Sequence, residues 1–173
     1  MLLKLTILCY NLVVIGDTMK KKMLMISSIF IIIDQLIKLV IRASIILEKE
    51  IFIIPKFFYI TNVNNTGGAF SILSDNTYLL ILVGIIAILF IYYFLKNKTL
   101  SRIEEVSYSL LIGGIIGNLI DRIIFNNVTD YIGLVFGSYY YPVFNLADIG
   151  IVVSIIILII LEFRGEKDGI RSN

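Results

Sequence analysis

Four long apolar blocks dominate the pattern of hydrophobic and polar positions along this chain. They cover residues 23–41, 78–95, 106–125 and 149–163. About 20 consecutive apolar residues are needed to cross the hydrocarbon core of a bilayer. The last block approaches that length only when residues 146–148 are counted with it. The pattern predicts four membrane-spanning helices.

The stretches between the blocks have a different periodicity. "EIFIIPKFFYITNVNN" (50–65) is dense in β-branched and aromatic residues and predicts short strands interrupted at Pro55. "NVTDYIGLVFGSYYYPVFN" (127–145) predicts a hairpin that turns near Gly137 and Ser138. In "TGGAFSIL" (66–73), two glycines predict a tight turn, followed by a helical turn before the second block. We therefore expect a small β-rich cap on the helices.

Composition supports a membrane protein. Hydrophobic residues make up 58% of the 173 residues and charged residues 16%, whereas soluble domains are about one quarter charged. Too little sequence lies outside the apolar blocks for a separate soluble domain. The net charge of +2 is too small to suggest a nucleic-acid partner.

The placement of the basic residues predicts an orientation. They cluster before the first block, between the second and third, and after the fourth: Lys20, Lys21, Lys22, Lys96, Lys98, Arg102, Arg164, Lys167 and Arg171. Because cytoplasmic loops carry an excess of Lys and Arg, both termini and the short middle loop are predicted to be cytoplasmic. The connections at about 43–77 and 126–146 would then be extracytoplasmic.

The first residues form a separate segment. Residues 1–18 are mildly apolar, but the basic "KKK" follows them and no small-residue cleavage site is visible, which argues against a signal peptide. We interpret 1–18 as an extension of doubtful role, with Met19 as a plausible true start. Residues 19–165 form the membrane domain and 166–173 a cytoplasmic tail. The single cysteine, Cys9, permits no disulfide within the chain and no conventional cysteine metal site.

Several polar residues lie inside the predicted spans. Asp34 and Lys38 are four residues apart and can pair on one helix face, which favours a structural ion pair over a catalytic role. In the third span, Gly113 and Gly117 have the small-xxx-small spacing that lets another helix approach closely.

A second polar group in the third span is a stronger indication of function. Asn118, Asp121 and Arg122 lie on roughly one side of that helix, near its outer end. Ionisable groups at such depth are costly and by default mark a functional interior. Asp148 heads the fourth span, and its spacing from Asn145 is that of a helix N-cap and its N3 residue, so capping alone could explain this acid.

Five motifs in order, "DQLIKLV", "NNTGGAF", "GNLIDR", "VTDYI" and "FNLAD", resemble those of the lipoprotein signal peptidases, the signal peptidase II family. The resemblance covers about residues 31–154. Gly68 stands where the family usually has alanine, and Asn126 stands where a glycine usually follows the Asp-Arg pair. Because Asn tolerates the left-handed backbone conformation, we expect the turn at Asn126 to be retained.

The resemblance implies a fold, a reaction and a set of site residues. The fold would be a membrane bundle of four transmembrane helices with a small extracytoplasmic β-cradle and a short surface helix. The enzyme would be an aspartyl endopeptidase of the cytoplasmic membrane, working next to lipid and without a metal or organic cofactor. It would cleave diacylglyceryl-modified prolipoproteins on the N-terminal side of the lipidated cysteine and would act as a monomer. Asp130 and Asp148 would be catalytic, with binding or supporting roles for Asn65, Gly67, Asn118, Arg122, Asn145, Asp34, Lys38 and Asp121.

The residue chemistry agrees with this assignment. The chain has no histidine, which excludes Ser-His-Asp and Cys-His catalysis and histidine zinc sites. Two carboxylates that share a proton can still hydrolyse a peptide bond, since one activates water while the other donates a proton. Capping and catalysis by Asp148 are compatible.

Two other functions remain possible on the sequence. A small ion or solute transporter would also bury Asp, Arg and Asn, but the chain lacks the internal symmetry typical of many transporters. A purely structural membrane protein would not require so many polar residues at the same depth near the outer membrane surface.

Overall fold

The computed structural model describes residues 21–68, 76–96 and 98–171, with side chains only up to residue 164. The order of elements is α1 (Lys21–Ser44), β1 (Ile51–Ile54), β2 (Phe58–Asn65), α2 (Thr77–Leu95), α3 (Arg102–Phe125), β3 (Val128–Phe136), β4 (Tyr139–Phe144) and α4 (Leu146–Arg171). Within these residues, four helices are long and apolar enough to cross a membrane, which confirms the predicted spans. Cys9, Met19 and the helical turn predicted after the two glycines lie outside the described residues.

Helix α3 is the most buried of the four and packs against both α1 and α4. A Cβ atom added to Gly117 would lie 2.7 Å from the Asp34 side chain of α1, and one added to Gly114 would lie 2.5 Å from the Ala147 carbonyl oxygen of α4. Glycine is therefore required where these helix backbones approach α3. The close helix contact predicted from Gly113 and Gly117 is confirmed, because Gly113 lies against Phe30 of α1.

The four strands form one antiparallel sheet in the order β1-β2-β3-β4. The first hairpin turns at Pro55, as predicted, and the second turns at Gly137, where φ is +65°. The sequence predicted these hairpins separately. They join because β2 pairs with β3, with Val63 opposite Asp130.

The ends of the helices attach the sheet to the bundle. Helix α3 ends at Phe125, and the φ of 61° at its C-cap residue, Asn126, confirms the expected left-handed turn. Arg42, at the end of α1, donates from Nε to the Thr129 hydroxyl of β3 at 2.7 Å, and its guanidinium lies 4.1 Å from the centre of the Phe125 ring. Asn62 of β2 donates to the Ile45 carbonyl at 2.9 Å. These contacts bring β3 and the start of α4 to the same end of the bundle.

Candidate active site

The first turn of α4 carries a reciprocal cap. Asn145 Oδ1 accepts the backbone N–H of Asp148 at 3.0 Å, and Asp148 Oδ2 accepts the backbone N–H of Asn145 at 3.1 Å. The cap spacing recognised in the sequence therefore corresponds to real hydrogen bonds. The cap fixes the Asp148 carboxylate at the N-terminus of the helix, where a negative charge is favoured.

Asn145 also contacts the other predicted catalytic acid. Its Nδ2 donates to Asp130 Oδ1 at 2.6 Å. Asn145 is fully buried and Asp130 is 2% exposed, whereas Asp148 is half-buried. Asp130 comes from β3 and Asp148 from α4, so one asparagine at the junction between β4 and α4 links the two carboxylates.

Asn118 of α3 orients Asp148 from the side of the bundle. Its Nδ2 donates to Asp148 Oδ1 at 2.8 Å, while its Oδ1 accepts from Lys38 Nζ at 2.9 Å and from Asn145 Nδ2 at 3.3 Å. Because an ammonium group can only donate, Lys38 requires that the oxygen of the Asn118 amide face it. The amide nitrogen is then directed at Asp148.

Asn65 has the corresponding role for Asp130. Its Nδ2 donates to Asp130 Oδ2 at 2.8 Å, and its Oδ1 accepts the backbone N–H of Gly67 at 2.9 Å. Arg122 donates from Nη2 to the Gly67 carbonyl at 2.8 Å. Among the described residues, the buried Nε of Arg122 has no hydrogen-bond acceptor. The guanidinium therefore supports the Asn65–Gly67 turn and keeps one donor available.

A buried ion cluster lies behind these groups. Lys38 Nζ is 2.9 Å from Asp34 Oδ2 and 3.2 Å from Asp121 Oδ2, and Arg42 Nη2 is 2.7 Å from Asp121 Oδ1. Two acids and two bases compensate one another, which burial of charge requires. The Asp34–Lys38 pair is confirmed, and Asp34 also accepts the backbone N–H of Ala147 at 3.1 Å, so the cluster supports the start of α4.

The environment of Asp130 favours its protonated form. Burial, and then the neighbouring Asp148 carboxylate, raise the pKa of Asp130 to about 7. Hydrogen bonds from Asn65 and Asn145 and the charge of Lys38 act in the opposite direction but are smaller. One proton can therefore be retained on the pair near neutral pH.

The sequence interpretation missed four residues that complete these networks. Arg42 and Thr129 connect the ion cluster to β3, and Gln35 donates to Asp34, Asp121 and the Gly117 carbonyl at 3.1 to 3.2 Å. Arg42 lies four residues after Lys38, so the i, i+4 rule could have identified it. The fourth is Tyr131, whose hydroxyl accepts the backbone N–H of Leu146 at 3.2 Å. Nothing in its sequence context indicated that contact.

The described residues contain no group of three or more His, Cys, Asp or Glu side chains placed to hold a metal ion. The side chains that the structure brings together at the site are carboxylates, amides and a guanidinium.

Comparison with known proteins gives consistent matches. The family model described as signal peptidase (SPase) II matches residues 26–164. Proteins called lipoprotein signal peptidase are similar to this chain, including those of Listeria monocytogenes serotype 4a (34% identical, covering 79% of this chain and 90% of theirs) and Bacillus pumilus (36%, 82% and 93%). The one from Halothermothrix orenii is 38% identical, over 82% of this chain and 94% of its own.

Two solved structures share the fold. Both are described as bacterial membrane enzymes determined by the in meso method, at 2.3 and 1.9 Å resolution. The first has a TM-score of 0.77 at 30% identity and covers 85% of this chain and 90% of its own. The second has a TM-score of 0.71 at 32% identity, with coverages of 81% and 91%.

Proposed function

Because this chain belongs to the signal peptidase II family of aspartic peptidases, we propose that Asp130 and Asp148 form its catalytic pair. The enzyme removes signal peptides from prolipoproteins, and the transporter interpretation is not supported. The observation that carries the proposal is the position of Asn145, which donates to Asp130 from its side chain and to Asp148 from its backbone. A single residue thereby holds a buried and a half-buried carboxyl group from different elements in one site.

The pair works by sharing one proton. The ionised carboxylate takes a proton from water, whose oxygen attacks the scissile carbonyl carbon while the protonated carboxyl group donates to the carbonyl oxygen. When the tetrahedral intermediate collapses, its hydroxyl returns a proton to the pair, the amide nitrogen receives one from the pair, and the C–N bond breaks. The pair ends with the single proton with which it began. Asp130 can supply the initial proton because its pKa is about 7.

The surrounding amides and cations have supporting roles. Asn118 and Asn145 hold Asp148, while Asn65 and Asn145 hold Asp130. The Nε of Arg122, which has no acceptor within the described part of the chain, could donate to a carbonyl of the bound peptide next to the Asn65–Gly67 turn. Asp34, Lys38 and Asp121 maintain the orientation of Asn118 and the start of α4 without touching substrate.

We further propose that the substrate is a diacylglyceryl prolipoprotein, cleaved before its lipidated cysteine at the extracytoplasmic membrane surface by a monomeric enzyme. The basic residues at the start of α1, around the loop between α2 and α3 and near the C-terminal end of α4 support this orientation. The exposed Tyr139 and Tyr140 of β4 suit a headgroup layer and so support a position of the sheet near that surface.

The test is cleavage of a diacylglyceryl prolipoprotein by purified variants. We expect Asp130→Asn and Asp148→Asn each to lower kcat by at least about 10³-fold. The double variant should lower kcat little further, because the effects of substituting groups that act as a unit are not additive. Asn keeps the shape and one oxygen, so thermal stability should remain near that of the parent. Asp34→Asn should reduce stability or rate only in part.

Glu50→Gln is the matched control. It neutralises an exposed carboxylate at the residue before β1, and we expect it to leave kcat unchanged. A folded Asp148→Asn enzyme that cleaves at nearly the parent rate would reduce Asp148 to a helix cap and refute the aspartyl assignment.

A further inference from the structure

The N-terminus of α4 has four backbone N–H groups without partners inside the helix, those of residues 145–148. The reciprocal cap accounts for two of them, the N–H groups of Asn145 and Asp148. A capping box alone leaves the other two, Leu146 and Ala147, without acceptors. Because this turn carries Asp148, whatever holds these two groups also sets the position of Asp148.

Two side chains from other elements accept these N–H groups. Ala147 donates to Asp34 Oδ1 of α1 at 3.1 Å, and Leu146 donates to the Tyr131 hydroxyl of β3 at 3.2 Å. Tyr131 is 6% exposed, so water does not readily replace its hydroxyl. Asp34 connects the helix to the bundle, whereas Tyr131 connects it to the strand that carries Asp130.

Two consecutive residues of β3, Asp130 and Tyr131, therefore contact the junction between β4 and α4. Asp130 accepts from the side chain of Asn145, and Tyr131 accepts from the backbone of the next residue, Leu146. The first bond is part of the catalytic pair itself and changes as the pair exchanges protons. The second involves no reacting group and can stay constant through the reaction.

We infer that Tyr131 is a positioning residue, whose hydroxyl accepts the N–H of Leu146 and thereby holds the first turn of α4 at the distance from β3 that lets Asp130 and Asp148 share a proton. The inference rests on the proposed function of that pair. It assigns to Tyr131 a contribution to the rate of the chemical step and none to substrate binding.

A phenol suits this position because it accepts a hydrogen bond without bringing a charge. Burial, and then the carboxylates of Asp34, Asp148 and Asp130, raise the pKa of Tyr131 to about 12, which keeps the hydroxyl neutral. A carboxylate at this place would add another negative charge beside the pair and disfavour the ionised member.

The test is a double-mutant cycle between Tyr131→Phe, which removes the acceptor, and Leu146→Pro, which removes the donor. Proline is favoured at the first position of a helix, where its missing N–H costs nothing inside the helix. Leu146→Ala controls for the lost side chain, and Tyr140→Phe controls for loss of an exposed tyrosine hydroxyl. The measurements are kcat and KM for a diacylglyceryl prolipoprotein, with thermal unfolding of the same samples.

We expect Tyr131→Phe to lower kcat roughly tenfold, the value of one buried hydrogen bond, with KM near that of the parent. Leu146→Pro should lower kcat similarly relative to Leu146→Ala, and the double variant should be no worse than either. A kcat of Tyr131→Phe within twofold of the parent would overturn the inference, as would losses that add in the double variant. If Tyr131→Phe does not fold, equal kcat values for Leu146→Pro and Leu146→Ala would overturn it, and the expected difference would support it.

Failure of this inference differs from failure of the proposed function. An inactive Asp148→Asn enzyme together with a fully active Tyr131→Phe enzyme refutes only the role of Tyr131. A fully active Asp148→Asn enzyme refutes the catalytic pair.

Discussion

Asn145 shows how one residue combines folding and chemistry at this site. Its side-chain oxygen caps α4, its backbone N–H holds Asp148, and its side-chain nitrogen holds Asp130. An ionised aspartate at this place could cap the helix equally well, but it could not donate to a neighbouring carboxylate. The amide is therefore required by the second carboxyl group and not by the helix.

The raised pKa of Asp130 makes a prediction for stability. The folded enzyme binds this proton more tightly than the unfolded chain does, so the stabilisation is complete below about pH 4 and is lost as the pH rises through about 7. We expect the Tm of the parent to fall, relative to that of Asp130→Asn, between these pH values. The difference in unfolding free energy is at most about 4 kcal/mol, from three pKa units.

Thermal unfolding of both proteins in the same detergent, from pH 4 to pH 8, measures the effect. Glu50→Gln, which neutralises an exposed carboxylate, should follow the parent. Parallel curves for the parent and Asp130→Asn would mean that Asp130 has an ordinary pKa.

At the scale of elements, the site depends on how closely α1 and α4 approach α3. Gly117 lies where α1 crosses α3, next to Asp34. Gly114 lies next to Ala147, where α4 begins beside α3. These contacts bring the ion cluster and the cap of α4 together. At both glycines the neighbouring atom belongs to the backbone or to a charged group, and such an atom cannot move aside as a flexible apolar side chain can.

We therefore expect Gly117→Ala to be costly, since its Cβ would lie 2.7 Å from Asp34 Oδ2. It should lower the unfolding free energy by about 1–3 kcal/mol, as overpacking does, and reduce kcat because the ion cluster shifts.

Gly84→Ala is a matched control in α2. Its Cβ would lie 2.7 Å from Leu119 Cδ2, the end of a flexible apolar side chain. Thermal unfolding and kcat should change little in this variant. Equal effects of the two substitutions would mean that the contact at Gly117 has no special importance.

At the scale of the whole molecule, the sheet and the proposed catalytic pair lie at one end of the bundle, and the loop between α2 and α3 lies at the other. The proposed orientation places the first end outside the cytoplasm. Its support is the distribution of lysine and arginine, which lie at helix ends and in the loop between α2 and α3.

Engineered cysteines in a Cys9→Ser background test the orientation. Ser138→Cys lies in the β3–β4 turn and Lys98→Cys in the loop between α2 and α3. We expect an impermeant thiol reagent applied to intact cells to label position 138, and to label position 98 only after permeabilisation. Labelling of position 98 but not 138 in intact cells would contradict the orientation.

The sequence alone determined the four helices, the two hairpins, the cap at Asn145 and Asp148, and the pairing of Asp34 with Lys38. Each of these depends on residues close together in the chain, where periodicity, capping and i, i+4 spacing express the physics directly. The order of the motifs indicated that Asp130 and Asp148 belong to one site, but did not indicate how they are held.

Only the tertiary structure decided that geometry. The pairing of β2 with β3, the bond from Lys38 to Asn118 and the bond from Leu146 to Tyr131 join residues that are 15 to 80 positions apart. Such contacts depend on the relative placement of packed elements, and many different sequences can satisfy the same placement. Because Tyr131 follows no local pattern, its role becomes visible only when β3 and the start of α4 lie side by side.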